Sequence, residues 1–193
     1  MLDRLSAAVE FAIRAHGGQT RKGKDVPYIT HPLAVALSLA RAGCAEDVVI
    51  AGLLHDVVED TSVTLEEVRD HFGPAVAEIV AACSEDKRLP WEERKARMLE
   101  TLTHAPLAVK LVACADKLHN IRDLRADYEQ VGDRVWDRFN RGRQHQEWYY
   151  RGLLDAFAEE IRDGIYPTLF RALAEEVEAQ FGGTHVEDAG PEG

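Results

Sequence analysis

The stretch AGLLHDVVEDT, residues 51–61, begins as an apolar run and ends in ionisable groups. Ala51, Leu53 and Leu54 suit a core; His55, Asp56, Glu59 and Asp60 follow, interrupted only by Val57 and Val58. On a helix, residues four apart stack in one column. His55 and Glu59 would form one column, Asp56 and Asp60 the next. Neighbouring residues lie about 100° apart around the axis, so all four heads can share one edge of the helix end. Carboxylates this close repel one another and shift one another's pKa. A divalent cation removes that conflict, and imidazole and carboxylate both serve a borderline or hard metal. The competing account is a helix end pointing to solvent. It must place acids at the unfavourable end of the helix dipole, next to a core.

Three other groups could join such a site. Asp116, Asn120 and Asp123 in ACADKLHNIRD fall at i, i+4 and i+7, with His119 beside them. His31 in YITHPLA stands just before a helix, where Pro32 fixes the turn. Arg21, Lys22 and Lys24 in RKGK form a basic cluster close upstream of His31, suited to phosphate or to plain solvation. His71, His104 and His185 read as surface or packing residues. No Walker loop, GxGxxG or GxSxG occurs. Cys44, Cys83 and Cys114 are odd in number and widely spaced. They read as buried reduced thiols, not as a disulfide framework, a zinc ribbon or a nucleophile.

The elements that must position these residues are helical. Leu5, Val9, Ala12 and Ile13 share a face of a first helix, and Leu33, Val35 and Leu37 follow Pro32 in a second. A very apolar third helix is predicted from about Glu46 to Val58. Thr64 and Glu67 form a capping box, Gly73 ends that helix and Pro74 opens the next. Amphipathic segments follow over Trp91–Leu102, from Pro106 through Leu124, over Arg134–Glu159, and from Pro167 to Phe181. The fold class is all-α, with one short β-hairpin admitted near residues 20–30.

With 193 residues and 46% apolar content, the chain suits one globular domain with a sizeable core. The tail from Gly182, Gly-rich and acidic, is expected to be disordered. No apolar run is long enough to span a bilayer, and the N-terminus lacks the marks of a signal peptide. The expected location is the cytoplasm, with no membrane partner. A net charge of −11 speaks against nucleic-acid binding. A phosphorylated small substrate then needs a local basic pocket, a metal, or both.

Taken together, AHGGQTRKGKDVPYITHP, AGLLHDVVEDT, HFGPAVAEIV and ADKLHNIRDL resemble the HD-domain hydrolases of the RelA/SpoT family over about Ala7 to Leu153. EDKRLPWEERK and QEWYYRGL are most similar to the small stand-alone alarmone hydrolases, including the metazoan SpoT homologues. The resemblance implies one HD-type helical bundle over residues 1–181. It implies Mn²⁺ held by His31, His55, Asp56 and Asp116, with Glu59 and Asp60 acting on the water nucleophile. It further implies that Arg21 and Lys22 face phosphates or base, and that Asn120 contacts the nucleoside. The family reaction is hydrolysis of the 3′-pyrophosphate of (p)ppGpp to GDP or GTP and pyrophosphate. The chain is too short for the family's synthetase and regulatory domains, so degradation alone is expected. Asp123, where long members commonly carry Thr, and His145, where small hydrolases present Tyr, bear on nucleotide preference. The alternatives are phosphohydrolysis of another nucleotide such as NADPH, and a non-catalytic nucleotide sensor.

Overall fold

The computed structural model describes residues 2–85, 88–139, 141–158, 161, 164 and 166–182. All regular secondary structure in this part is helical. The helices are α1 (Leu2–Ala15), α2 (Thr30–Arg41), α3 (Glu46–Leu54), α4 (Val57–Asp60), α5 (Leu65–Phe72), α6 (Pro74–Cys83), α7 (Trp91–His104), α8 (Leu107–Val131), α9 (Arg143–Phe157) and α10 (Pro167–Phe181). A 3₁₀ helix, Gly132–Arg138, follows α8. The tail from residue 183, expected to be disordered, lies outside the described residues.

The long helix α8 is the axis of the bundle. It packs against α2, α3, α6, α9, α10 and the 3₁₀ helix. Every residue from Val109 to Asp116 is buried, so this part of the helix is covered on all sides. The same holds for α3 from Val48 to Leu54. Buried Lys110 reaches out of the core to the Thr103 carbonyl at 3.1 Å.

The capping box forms as the sequence predicts. Glu67 N–H donates to Thr64 Oγ1, and Thr64 N–H donates to the Glu67 carboxylate at 2.7 Å. Gly73, at φ 91°, separates α5 from α6 in a conformation that other residues rarely adopt.

Three expectations need correction. The third helix does not run to Val58: α3 stops at Leu54, His55 and Asp56 form a turn, and α4 restarts as a single turn. The His55 imidazole caps the end of α3, its Nδ1 standing 2.8 Å from the Gly52 carbonyl. The inner face of α2 carries His31, Pro32, Val35, Ala36 and Leu39, while Leu33, Leu37 and, on α1, Ile13 are exposed. Leu33, Val35 and Leu37 are two apart, a strand period that cannot share one helical face. The predicted helix over Arg134–Glu159 starts only at Arg143, because the segment before it is the 3₁₀ turn begun by Gly132 at φ 60°. The short hairpin admitted near residues 20–30 forms only in rudiment, with Arg21 N–H donating to the Val26 carbonyl at 2.8 Å and Tyr28 N–H to the Gln19 carbonyl at 2.9 Å. It contains one isolated bridge, Thr20 to Pro27, closed around Gly23 at φ 73°.

The approach of α2 to α3 brings His31 to His55, and it depends on Gly52. A Cβ there would stand 2.3 Å from Leu39 Cδ1 and 3.3 Å from Val35 Cγ1. Gly52→Ala is expected to lower stability by ~1–3 kcal/mol through overpacking, read as a lower urea midpoint at unchanged m-value.

Candidate active site

Three helical elements meet at one buried point. α2 supplies His31, the α3–α4 turn supplies His55 and Asp56, and α8 supplies Asp116. One donor atom each from His31, His55 and Asp116 lies within 4.8 Å of the others. His31 Nε2 is 3.1 Å from Asp116 Oδ1, and His55 Nε2 is 3.7 Å from the same oxygen. Asp56 Oδ2 joins them at 3.1 Å from His55 Nε2 and 3.5 Å from His31 Nε2.

The hydrogen bonds behind these groups aim them. His55 Nδ1–H donates to the Gly52 carbonyl, which leaves the Nε2 lone pair directed at Asp56 and Asp116. That buried Nε2 makes no hydrogen bond. A lone pair facing two carboxylates is repulsive unless a positive charge stands between them, so the donor set fits a divalent cation. In the metal-free protein a proton can take that place. Burial would push the His55 imidazole down, but Asp56 and Asp116 outweigh it and hold the imidazole well above its usual range. Burial would raise the Asp116 carboxyl, but Lys117 and the two histidines hold it far below the usual range.

The carboxylates are also fixed from behind. The Tyr28 hydroxyl lies 2.6 Å from Asp56 Oδ2 and 3.0 Å from Asp60 Oδ2. Lys117 Nζ donates to Asp116 Oδ2 at 2.6 Å, and Asn120 Nδ2 donates to Oδ1 at 2.6 Å. Asn120, expected at the nucleoside, thus also braces Asp116. Its Oδ1 accepts from Arg21 at 3.0 Å, and Arg21 pairs with Asp123 at 2.9 Å. The helical spacing of Asp116, Asn120 and Asp123 holds in α8.

Asp60 still stacks on Asp56 across the turn: its N–H donates to the Asp56 carbonyl at 2.9 Å, and both carboxylates reach the Tyr28 hydroxyl. Glu59 lines the metal-facing cavity and accepts the Glu85 N–H at 3.0 Å. The Glu85 carboxylate, in turn, holds Arg94 at 2.8 Å and Lys95 at 2.6 Å. Both cations line the same cavity, whose volume is about 170 Å³.

A second cavity of about 350 Å³ adjoins the first and shares Arg21, Tyr28, Lys95, Lys117 and Asn120 with it. Lys22, Lys24 and Arg138 line it too, so its walls are cationic although the protein is acidic. Trp91, Phe139, Tyr149 and Tyr150 form aromatic wall. Lys22 lies in this second cavity and donates to the Arg138 carbonyl at 3.1 Å. His71 and His104 are exposed, as the sequence suggests; His185 lies outside the described residues. The cysteines are free, and burial raises their thiols, Cys44 to about 11 and Cys83 to about 12.

Sequence reasoning missed Tyr28, Lys117, Glu85, Arg94, Lys95 and Trp91. Each lies within a few residues of a motif, but its residue type has ordinary structural uses. It also gave His119 no role. His119 Nδ1 lies 2.8 Å from His31 Nδ1. With the His31 Nε2 lone pair turned to the cation site, His31 Nδ1–H donates and His119 accepts. Burial, aided by the neighbouring His31, lowers His119 from 6.5 to about 4.

Because the folded pKa of His119 is below the unfolded one, the unfolded chain binds the proton first. Its contribution is therefore complete above pH 6.5 and lost as pH falls toward 4. In urea titrations of metal-free protein at pH 7.5, 6 and 5, His119→Gln should lose less stability on acidification than the wild type. Parallel pH profiles would contradict the lowered pKa of His119.

The HD-domain profile matches residues 8–146 of the chain. Human guanosine-3′,5′-bis(diphosphate) 3′-pyrophosphohydrolase MESH1 is 46% identical over 123 residues, 62% of this chain and 69% of that protein. The bifunctional (p)ppGpp synthase/hydrolase SpoT of Escherichia coli K12 is 39% identical over 129 residues, 64% of this chain and 18% of that one. A crystal structure from Listeria monocytogenes EGD-e superposes with a TM-score of 0.74 at 40% identity, covering 79% of this chain and 99% of that one. A metazoan SpoT orthologue described as hydrolysing ppGpp gives 0.75 at 30% identity, covering 93% and 96%. The matched segment contains His31, His55, Asp56 and Asp116, and the chain belongs to the HD-domain family, among relatives of the SpoT hydrolase type.

Proposed function

We propose that the protein hydrolyses the 3′-pyrophosphate of (p)ppGpp, giving GDP or GTP and pyrophosphate. The observation that carries this reading is the junction of two unlike spaces. A buried imidazole–carboxylate group fit for a metal opens directly into a cationic, aromatic-walled cavity that suits a nucleotide polyphosphate. The names of relatives covering most of the same segment point the same way. The reading includes a single HD-type domain over residues 1–181 and action in the cytoplasm, where free cysteines persist.

In this reading His31, His55, Asp56 and Asp116 hold the cation. Two imidazoles and two carboxylates without thiolate favour Mn²⁺ over structural zinc. When bound, such an ion lowers the pKa of water and offsets charge at phosphorus. The chain's own residues do the rest. Glu59, fixed by the Glu85 N–H, and Asp60, fixed by Tyr28, accept the proton of the attacking water and orient it. Arg21 and Lys22 bind phosphate oxygens, and Asn120 contacts the nucleoside beside Arg21. Lys95 and Lys117, at the junction, offset the charge that builds on the attacked pyrophosphoryl group and on the departing ribose 3′ oxygen. Water attacks the phosphorus next to the ribose, and the bond from that phosphorus to the 3′ oxygen breaks. The 3′ oxygen takes up a proton to become the hydroxyl of GDP or GTP, and pyrophosphate leaves carrying the water's oxygen; no covalent enzyme intermediate forms.

The deciding assay is purified protein with Mn²⁺ and ppGpp, with products resolved by chromatography. Pyrophosphate and GDP are expected. Orthophosphate release from NADPH without ppGpp turnover would move the assignment to another nucleotide, and binding without turnover would make the protein a sensor.

Two consequences follow for named residues. Mn²⁺ at a hundred times its Kd should stabilise the folded protein by ~2.7 kcal/mol, seen as a raised Tm, and Asp116→Asn should abolish that rise. Glu59→Gln combined with Asp60→Asn should lower kcat by ~10²–10⁴ while the Mn²⁺-dependent Tm rise survives. A double variant with near-normal kcat would reduce these acids to a polar helix end.

A further inference from the structure

The five residues shared by the two cavities mark where the metal-facing space ends. Beyond them the wall changes character. Trp91, Phe139, Tyr149 and Tyr150 line only the second cavity. Trp91 is the first residue of α7 and is half-buried. Its ring is fixed by rings of α9: His145 at 6.1 Å and 77°, Tyr149 at 6.2 Å and 71°, and Trp148 at 6.2 Å and 58°. None of these three rings lies parallel to the indole.

The wall is also packed closely against its neighbours. α7 and α9 meet so closely that a Cβ on Gly152 would stand 2.6 Å from Leu99 Cδ1. Glu92, next to Trp91, pairs with Arg141 just before α9. Behind Trp91, Tyr149 is buried, with Lys95 Nζ 4.8 Å from its ring centre. A flat aromatic surface, preset in orientation and next to a cationic junction, matches one kind of ligand end: a planar base joined to phosphates.

We propose that Trp91 is the stacking platform for the substrate's nucleobase and the main reason a nucleotide is preferred to a simple polyphosphate. This rests on the nucleotide reading above. With the scissile pyrophosphate at the metal-facing cavity and the charged phosphates at the junction, the base is the part left for the aromatic wall. An indole offers area and no base-specific hydrogen-bond pattern. Trp91 therefore separates nucleotides from base-free phosphates without separating guanine from adenine.

The test uses the full chain with Mn²⁺. Trp91→Ala should raise KM for ppGpp by roughly 5- to 150-fold, the range expected from losing one base–aromatic stack. kcat should stay within about twofold, since no group at the metal-facing cavity changes. Trp91→Phe, which keeps an aromatic face and the fold, should recover most of the lost affinity. Inorganic pyrophosphate, which has no base, should inhibit wild type and Trp91→Ala with the same constant. GDP and ADP should both quench the wild-type tryptophan fluorescence, and this quench should vanish in Trp91→Phe. An unchanged KM in Trp91→Ala overturns the proposal, as does a pyrophosphate inhibition constant that moves in step with KM. If wild type turns over no ppGpp, the functional reading fails instead, and the GDP and ADP fluorescence titrations still decide the role of Trp91.

Discussion

Burying charge without an adequate counter-charge is the constraint around which this fold is organised. Two imidazoles and two carboxylates lie within a few ångströms of one another in a helical core, where unpaired charges cost several kcal/mol each. The surrounding residues all answer that cost. Gly52 supplies a carbonyl to His55, His119 an acceptor to His31, Tyr28 a hydroxyl to Asp56, and Lys117 and Asn120 donors to Asp116. Each of these bonds turns a lone pair or a carboxylate oxygen toward the same point. What they leave unmet is one positive charge at the centre, and the bundle around it is arranged to present that deficit.

This explains why the helix breaks where it does. A continuous helix from Glu46 to Asp60 would place His55 and Glu59 in one column, and Asp56 and Asp60 in another. The turn at His55–Asp56 interrupts that helix with both side chains directed inward, yet it keeps Asp60 on Asp56 through the Asp60 N–H to Asp56 carbonyl bond at 2.9 Å. Glu59 goes to the Glu85 backbone and Asp60 to the Tyr28 hydroxyl. The two pairs stay linked, since the Tyr28 hydroxyl reaches both Asp56 and Asp60 and Glu59 lines the same cavity as His55 and Asp56.

The elements with strong local signals were legible: the capping box at Thr64 and Glu67, glycine at Gly73, Pro74 opening α6, and the apolar continuity of α3 and α8. So was the meeting of His31, His55, Asp56 and Asp116, although through the resemblance of four ordered motifs and not through spacing. Spacing cannot state that residues more than 80 positions apart touch. It also could not show that His55 would bond to Gly52 and stop α3. Tyr28, Glu85 and Lys117 escaped for a related reason. Their roles lie in what they hydrogen-bond across the fold, and a tyrosine, a glutamate or a lysine carries no mark of that in its own neighbourhood. Leu33 and Leu37 misled because residue type alone was taken for burial, whereas exposed leucines are common on any protein surface.

One face of α8 links the two ends of the site. Asp116 looks at the imidazoles, Asn120 bridges Asp116 to Arg21, Asp123 pairs with Arg21 and Lys24, and Asp127 pairs with Lys24 and Arg138. At 1.5 Å per residue, the rise from Asp116 to Asp127 is about 16 Å, of the order of an extended nucleotide polyphosphate. The acids change duty along that line. The first belongs to the cation site, and the later ones hold basic side chains at the edge of the second cavity. A protein of net charge −11 cannot attract a polyanion by its overall field. It can do so where its own carboxylates restrain the cations locally and an incoming phosphate takes over part of that pairing. The cations are then never left bare in the absence of ligand, and the binding energy of each phosphate is reduced by the ion pair it displaces. Tight ground-state binding of the phosphates is thereby limited, which leaves more of the interaction to be expressed as charge builds on the attacked pyrophosphoryl group and the departing 3′ oxygen.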